Sequence, residues 1–299
     1  MRRIILLSIA VVFIGCSKNT SVPETSEETA KKYDVHFTVS DFAQAVGTMQ
    51  VSPGKATTAI GDTLKNYTDN LYYRLYDGTG KLVRFNSQNS SIFGYGKVDD
   101  QLSAGSYKAF FAGVKGTLSF TGTLNFTGDG YMPSNSVWDD TFTSVVEFTV
   151  GSSPVNQSVR LQRAVAGLEV TLTDAIPSNI GKINILITPE ANFTAIAGGM
   201  NPDAIGKTFQ YTISTSDYGT RNKKFFAYVN NTQSAVKVTI RAYDKNNSYV
   251  TEKVITDVSF SKNQRTLLSG ALFPGTPSPL SSFTIVVNPS WTTSPVKQF

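Results

Sequence analysis

The sequence predicts an all-β chain on three observations. Apolar and polar residues alternate with period two in one stretch after another from Tyr33 onward. No amphipathic pattern sustains a helix of more than about two turns, and Gly, Asn, Asp and Pro recur between the alternating segments. Composition agrees: only 16% of the 299 residues are charged, and 23 Gly and 13 Tyr stand beside many Thr, Ser and Asn, the profile of an exported β protein.

The first element is a leader. Arg2 and Arg3 precede the apolar run IILLSIAVVFI, which is shorter than the ~20 residues of a spanning helix, and Ile14-Gly15-Cys16 closes it. This ending resembles a bacterial lipobox. Cys16 is the only cysteine, so it forms no intramolecular disulfide, and no neighbouring His or Asp activates it. The reading is a signal peptide over residues 1–15, cleaved to leave Cys16 as the attachment point for acyl chains such as palmitate. Two or more chains anchor a protein stably in the outer membrane; an uncleaved membrane anchor is the alternative. Residues 16–32 are polar and form a flexible tether, with Glu24, Glu27 and Glu28 as solvated acids.

The strands follow. YDVHFTVSDF puts Val35, Phe37 and Val39 on one face and His36 and Thr38 on the other. LYYRLYDGTGKLVRF reads as a hairpin turning at Asp77-Gly78-Thr79-Gly80. Strands are expected in 102–114 and 142–151. Between 158 and 172 the apolar phase shifts from odd positions (Val159, Leu161) to even ones (Ala164 to Leu172), which requires a bulge or bend. Further strands are expected near 182–189, 209–215, 223–229, 235–244, 249–255 and 281–288. Many short strands with regular turns imply sandwiches. GSSPVNQ, at 151–157, divides the chain into sandwiches at 33–151 and 158–299.

Chemical motifs are sparse. NPDAIGKT (201–208) has Asn201 where a phosphate-binding loop needs its first glycine, and FGYGK opens no helix, so both read as turns. A single His and a single Cys disfavour a zinc site, and His36 is the one candidate base for serine chemistry. No cofactor is expected, and the chain reads as non-enzymatic. The net charge of +5 falls by two when Arg2 and Arg3 leave, and the scattered basic residues outline no nucleic-acid footprint. Asp99-Asp100 and Asp139-Asp140 are candidates for calcium or paired glycosidase carboxylates, with solvated loop acids as the default. GDGYMPSNSVW (128–138) offers Tyr131 and Trp138 as a glycan-stacking platform in a loop, against the alternative that Trp138 covers a sandwich edge.

Three stretches, LYYRLYDGTGKLVRF with LSAGSYKAFFAG, VRLQRAVAGLEVTLTD, and FSKNQRTLLSGALF with SSFTIVVNPSW, resemble the fimbrillin-like lipoproteins of Gram-negative anaerobes, which include type V pilins and their anchor subunits. The resemblance covers most of residues 33–291. It implies two transthyretin-like β-sandwiches, lipid anchoring at the cell surface, and assembly with other fimbrial subunits by strand complementation. The function it implies is that of a fimbrial structural or anchor subunit; the alternative is a lipoprotein that binds host or bacterial surface glycans or proteins. Pilins of the family are cut after an Arg beyond the first strand, but no arginine lies between Arg3 and Arg74, leaving Lys55 as the best-placed basic residue for processing. Asp62-Thr63-Leu64 matches an O-glycosylation pattern of such anaerobes, with Thr63 as acceptor.

Overall fold

The computed structural model describes residues 31–42, 60–203, 206–273 and 283–288. The chain is all-β in character. It runs through β1 (Lys32–Phe42), helix α1 (Ile60–Tyr67), β2 (Asn70–Asp77), β3 (Leu82–Asn89), β4 (Lys97–Ser103), β5 (Gly105–Val114), β6 (Leu118–Thr121), β7 (Gly130–Pro133), β8 (Thr141–Val150) and β9 (Val155–Arg163). It continues through β10 (Ala166–Leu172), β11 (Ile180–Thr188), β12 (Glu190–Ala195), β13 (Met200–Asp203), β14 (Lys207–Thr212), β15 (Lys223–Val229), β16 (Val236–Asp244), β17 (Tyr249–Val258), β18 (Arg265–Gly270) and β19 (Thr284–Asn288).

Period-two alternation sets the first core. Val35, Phe37 and Val39 of β1 are fully buried or nearly so, while His36 faces out and meets Asp99 of β4 at 2.7 Å. Strands run in the order β3-β2-β5-β8-β9-β1-β4, and β8 joins β9 through Phe142↔Arg163 and Thr143↔Gln162. The sheet doubles over at this seam, because Phe37 of β1 touches Tyr73 of β2, Phe111 of β5 and Phe148 of β8 with ring centres 5.2–5.7 Å apart. β1 is an interior strand, antiparallel to the edge strand β4 and parallel to β9. Helix α1 adds the buried Leu64 to this core. Its eight residues stay within the limit of about two turns that the sequence pattern allows.

The second core is a sandwich of β15-β10-β18-β19 on β14-β11-β16-β17. The phase shift seen in the sequence is the passage between the two cores. Val159 and Leu161 point into the first, Leu168 and Val170 into the second, and the bend falls at Ala164–Val165. β9 begins within the 151–157 segment and pairs with β1, so the chain stays in the first sheet through Arg163.

A fourth sheet, β13-β12-β7-β6, takes two strands from each half of the chain. β7 meets β12 at Tyr131↔Thr194 and Gly130↔Ala195. Here the loop reading of residues 128–138 is corrected: Gly130–Pro133 is a strand. Gly130 is required by close approach, since a Cβ there would lie 2.0 Å from the Phe193 ring. This sheet covers the outer face of β2 and β5 and encloses a third core of Tyr72, Tyr76, Phe110, Trp138, Val165 and Ile196 among others. β2 is therefore buried on both faces, which accounts for its nearly continuous apolar run.

Arg74 of β2 fastens the β6–β7 hairpin. Its guanidinium donates to Asp129 Oδ2 at 2.6 Å and to the Tyr76 hydroxyl at 2.9 Å, and lies 4.9 Å from the Phe120 ring centre. Asp129 also accepts from the Tyr76 hydroxyl and the Leu124 amide. Removing one partner strands a buried charge. Arg74→Ala should lower the unfolding free energy by ~3–5 kcal/mol, measured by urea titration. Phe37→Ala, which empties the centre of the first core, should cost ~3–5 kcal/mol by the same measurement.

Candidate functional site

Beside the shared sheet lies a cleft of about 250 Å³. Buried Phe110, Tyr131 and Ile196 form its apolar floor. The β12–β13 turn at Gly198–Gly199 forms one wall; both glycines have left-handed φ near +97°, and nothing lies within 4 Å of where their Cβ atoms would be. Ser144 of β8, Gln162 of β9, Gln233 and Lys262 stand around the opening, brought together from four segments by the seam between the halves. Among the described residues none of these four side chains has a hydrogen-bond or ionic partner.

Arg163 also lines this cleft but is fully engaged. Nε and one terminal nitrogen donate to Asp140 at 2.6 and 2.9 Å, and the other donates to Asn263 Oδ1 at 2.5 Å. It sits at the end of β9, where the chain leaves one sandwich for the next. Burial raises the Asp140 carboxyl against the opposing pull of Arg163.

Glu190, next to the floor, is fully buried. Its Oε1 accepts backbone N–H bonds from Ala191, Asn230 and Asn231 at 2.8–3.0 Å, whereas Oε2 has no partner. Burial pushes its carboxyl up to about 7, against the pull of those three amides.

The residues singled out from sequence are dispersed. Trp138 is buried, with Nε1 donating to Ala191 O at 2.8 Å and its ring 6.0 Å from that of Tyr131, itself buried. Of the two readings, a glycan-stacking platform or Trp138 as cover for a sandwich edge, the burial of both rings in the third core speaks for the covering one, and Tyr131 reaches the cleft only as part of its floor. Thr63 lies on α1. Cys16 and Lys55 lie outside the described residues. Asp99 and Asp100 are consecutive on β4 and point to opposite faces; Asp99 pairs with His36, and Asp100 with Arg84 and Tyr73. Asp140 is held by Arg163, so neither pair of acids forms a shared carboxylate site. No three His, Cys, Asp or Glu side chains among the described residues are grouped to hold a metal ion. Sequence reasoning missed the cleft because Ser144, Gln162, Gln233 and Lys262 follow no spacing rule.

Two outcomes follow. Trp138→Ala should cost ~3–5 kcal/mol of stability in urea unfolding, as loss of a core ring does. Between its ordinary value of 4.5 and about 7, Glu190 holds a proton in the folded chain that the unfolded chain has released. Stability should therefore fall as pH rises through that window, and the thermal midpoint of Glu190→Gln should fall less between about pH 5 and pH 8 than that of the unaltered chain.

The fold is shared with proteins of known structure. A candidate polysaccharide-binding protein from Bacteroides thetaiotaomicron superposes with a TM-score of 0.55 at 12% identity, covering 87% of this chain and 96% of the other. A candidate adhesin from the same organism gives 0.52 at 11% identity, over 88% and 97%. The fimbrial anchor protein Mfa2 from Porphyromonas gingivalis gives 0.49 at 11% identity, over 86% and 97%. The first two of these superpositions show a shared fold over most of each chain. No curated protein matches the chain. The model of a family of unknown function (DUF6562) matches residues 124–295, more than half of the sequence, and the chain belongs to that family.

Proposed function

We propose that this protein is a non-enzymatic surface adhesin of the fimbrial type, held to the outer membrane by acyl chains on Cys16. The observation that carries the reading is a fold shared over most of the chain with a candidate polysaccharide-binding protein and a candidate adhesin. The leader, lipobox and tether of residues 1–32 supply the export and anchoring signals. The folded part of the chain follows that signal, with the first sheet running through Arg163 and the second sandwich beginning at Ala166.

Strand complementation is part of the proposal. β1 is an interior strand of the first sheet, next to its edge strand β4, and its loss would leave a groove between β9 and β4 lined by the partners of Phe37. β19 pairs with β18 alone at the edge of its sheet, with Ile285 43% exposed, as a strand available for donation would be. Arg74 is buried in its ion pair, which denies it to a protease, so cleavage beyond β1 would fall to Lys55. In the anchor form proposed here β1 is retained, and the contact with other fimbrial subunits is made by the C-terminal strand. Thr63 is proposed as a glycan acceptor.

Intact-mass analysis of protein isolated from the cell surface tests this. The expected species begins at acylated Cys16 and retains β1, with added hexose mass on the peptide containing Thr63; Cys16→Ser should release the protein from the membrane fraction or leave the precursor. A membrane-bound form with unmodified Cys16 would overturn the anchoring, and a chain starting at Ala56 in ladder-forming oligomers would replace the anchor by a stalk subunit.

A further inference from the structure

We infer that the cleft beside the shared sheet binds the end of an acidic glycan, a hydroxyl-rich sugar carrying a carboxylate. The inference rests on the adhesin reading for its setting and on the chemistry of the cleft for its ligand. Among the described residues the lining contains no Asp or Glu, and its two cations are Arg163 and Lys262. All three guanidinium nitrogens of Arg163 are already committed to Asp140 and Asn263. That leaves one available positive charge, Lys262, which is exposed at the opening. One ammonium suits a monoanionic carboxylate; a phosphate dianion would call for more cationic donors.

The remaining polar groups choose the rest of the ligand. Gln162 and Gln233 each carry both a donor and an acceptor, as does the Ser144 hydroxyl, so together they match vicinal hydroxyls that donate and accept in turn. An apolar ligand would take these groups out of water without partners, at a cost for each. The apolar floor of Phe110 and Ile196 suits the C–H face of a sugar ring, and the bare backbone at Gly198–Gly199 lets a ligand approach the β12–β13 turn closely. At about 250 Å³ the cleft has room for a terminal sugar, not for a chain laid lengthwise. Because its walls come from both halves, the site exists only when the shared sheet is formed.

The test is a glycan array of neutral, uronate-bearing and sialylated glycans, probed with the full extracellular chain, followed by titration calorimetry on the best binder and its methyl ester. The expected result is retention of carboxylate-bearing glycans, with affinity reduced roughly tenfold or more by methyl esterification, by Lys262→Glu, and by Gln162→Ala combined with Gln233→Ala. These side chains are exposed, so the variants should keep the thermal midpoint of the unaltered chain. Higher salt should weaken binding through the Lys262 contact. Equal binding by Lys262→Glu, equal retention of neutral glycans, or displacement by an Asp/Glu-rich peptide would overturn the site while leaving the adhesin reading intact. Absence of any glycan binding would overturn the inference outright, with acylation at Cys16 still deciding the anchoring separately.

Discussion

The hydrogen bonds between β7 and β12 are the constraint on which the rest of the structure depends. They join a strand from the first half of the chain to one from the second, and Ile196 N donating to Asp129 O at 2.9 Å extends the ladder. Without that pairing, the outer face of β2 and β5 would present Tyr72, Tyr76 and Phe110 to water. With it, those rings form a core with Trp138 and Ile196, the backbone around Ala191 accepts from the indole, and the cleft acquires a floor. The buried Arg74–Asp129 and Arg163–Asp140 pairs sit at the two places where chain direction is decided: one where the β6–β7 hairpin folds onto β2, the other where β9 ends. Buried ion pairs add little net stability, but loss of one partner is costly, so such pairs fix one arrangement against others.

Much of this was legible in the sequence. Long strands with one buried face announce themselves by alternation, as in Val35-Phe37-Val39, and the phase shift near Leu161 marked the point where the chain changes cores. The shared sheet was not legible, for a physical reason. β6, β7 and β13 are four residues each, too short to show a period, and the pairing that joins their two hairpins, Tyr131 with Thr194, spans a long sequence separation that leaves no local pattern. The same gap left two readings open for Trp138, since an aromatic in a Gly- and Asn-rich segment reads as loop until the strand that buries it is known. For the cleft, what the sequence lacked was proximity: Ser144 and Lys262 are unremarkable until the seam brings them together.

The structure also separates two roles that the sequence had merged. Aromatic residues of the junction hold the halves together, whereas the groups available to a ligand are amides, a hydroxyl and one ammonium at the opening. Binding would then draw on rigid walls already paid for by folding, with little side-chain ordering beyond the rim.

Scanning calorimetry of the chain without its leader tests the central claim most directly. If the shared sheet and its core unite residues 32–273, heat unfolds both sandwiches in one cooperative transition, with the van't Hoff enthalpy equal to the calorimetric enthalpy. Two separable transitions, each surviving when the other half has melted, would contradict the account, since β7 and β12 could then part without consequence for either sandwich.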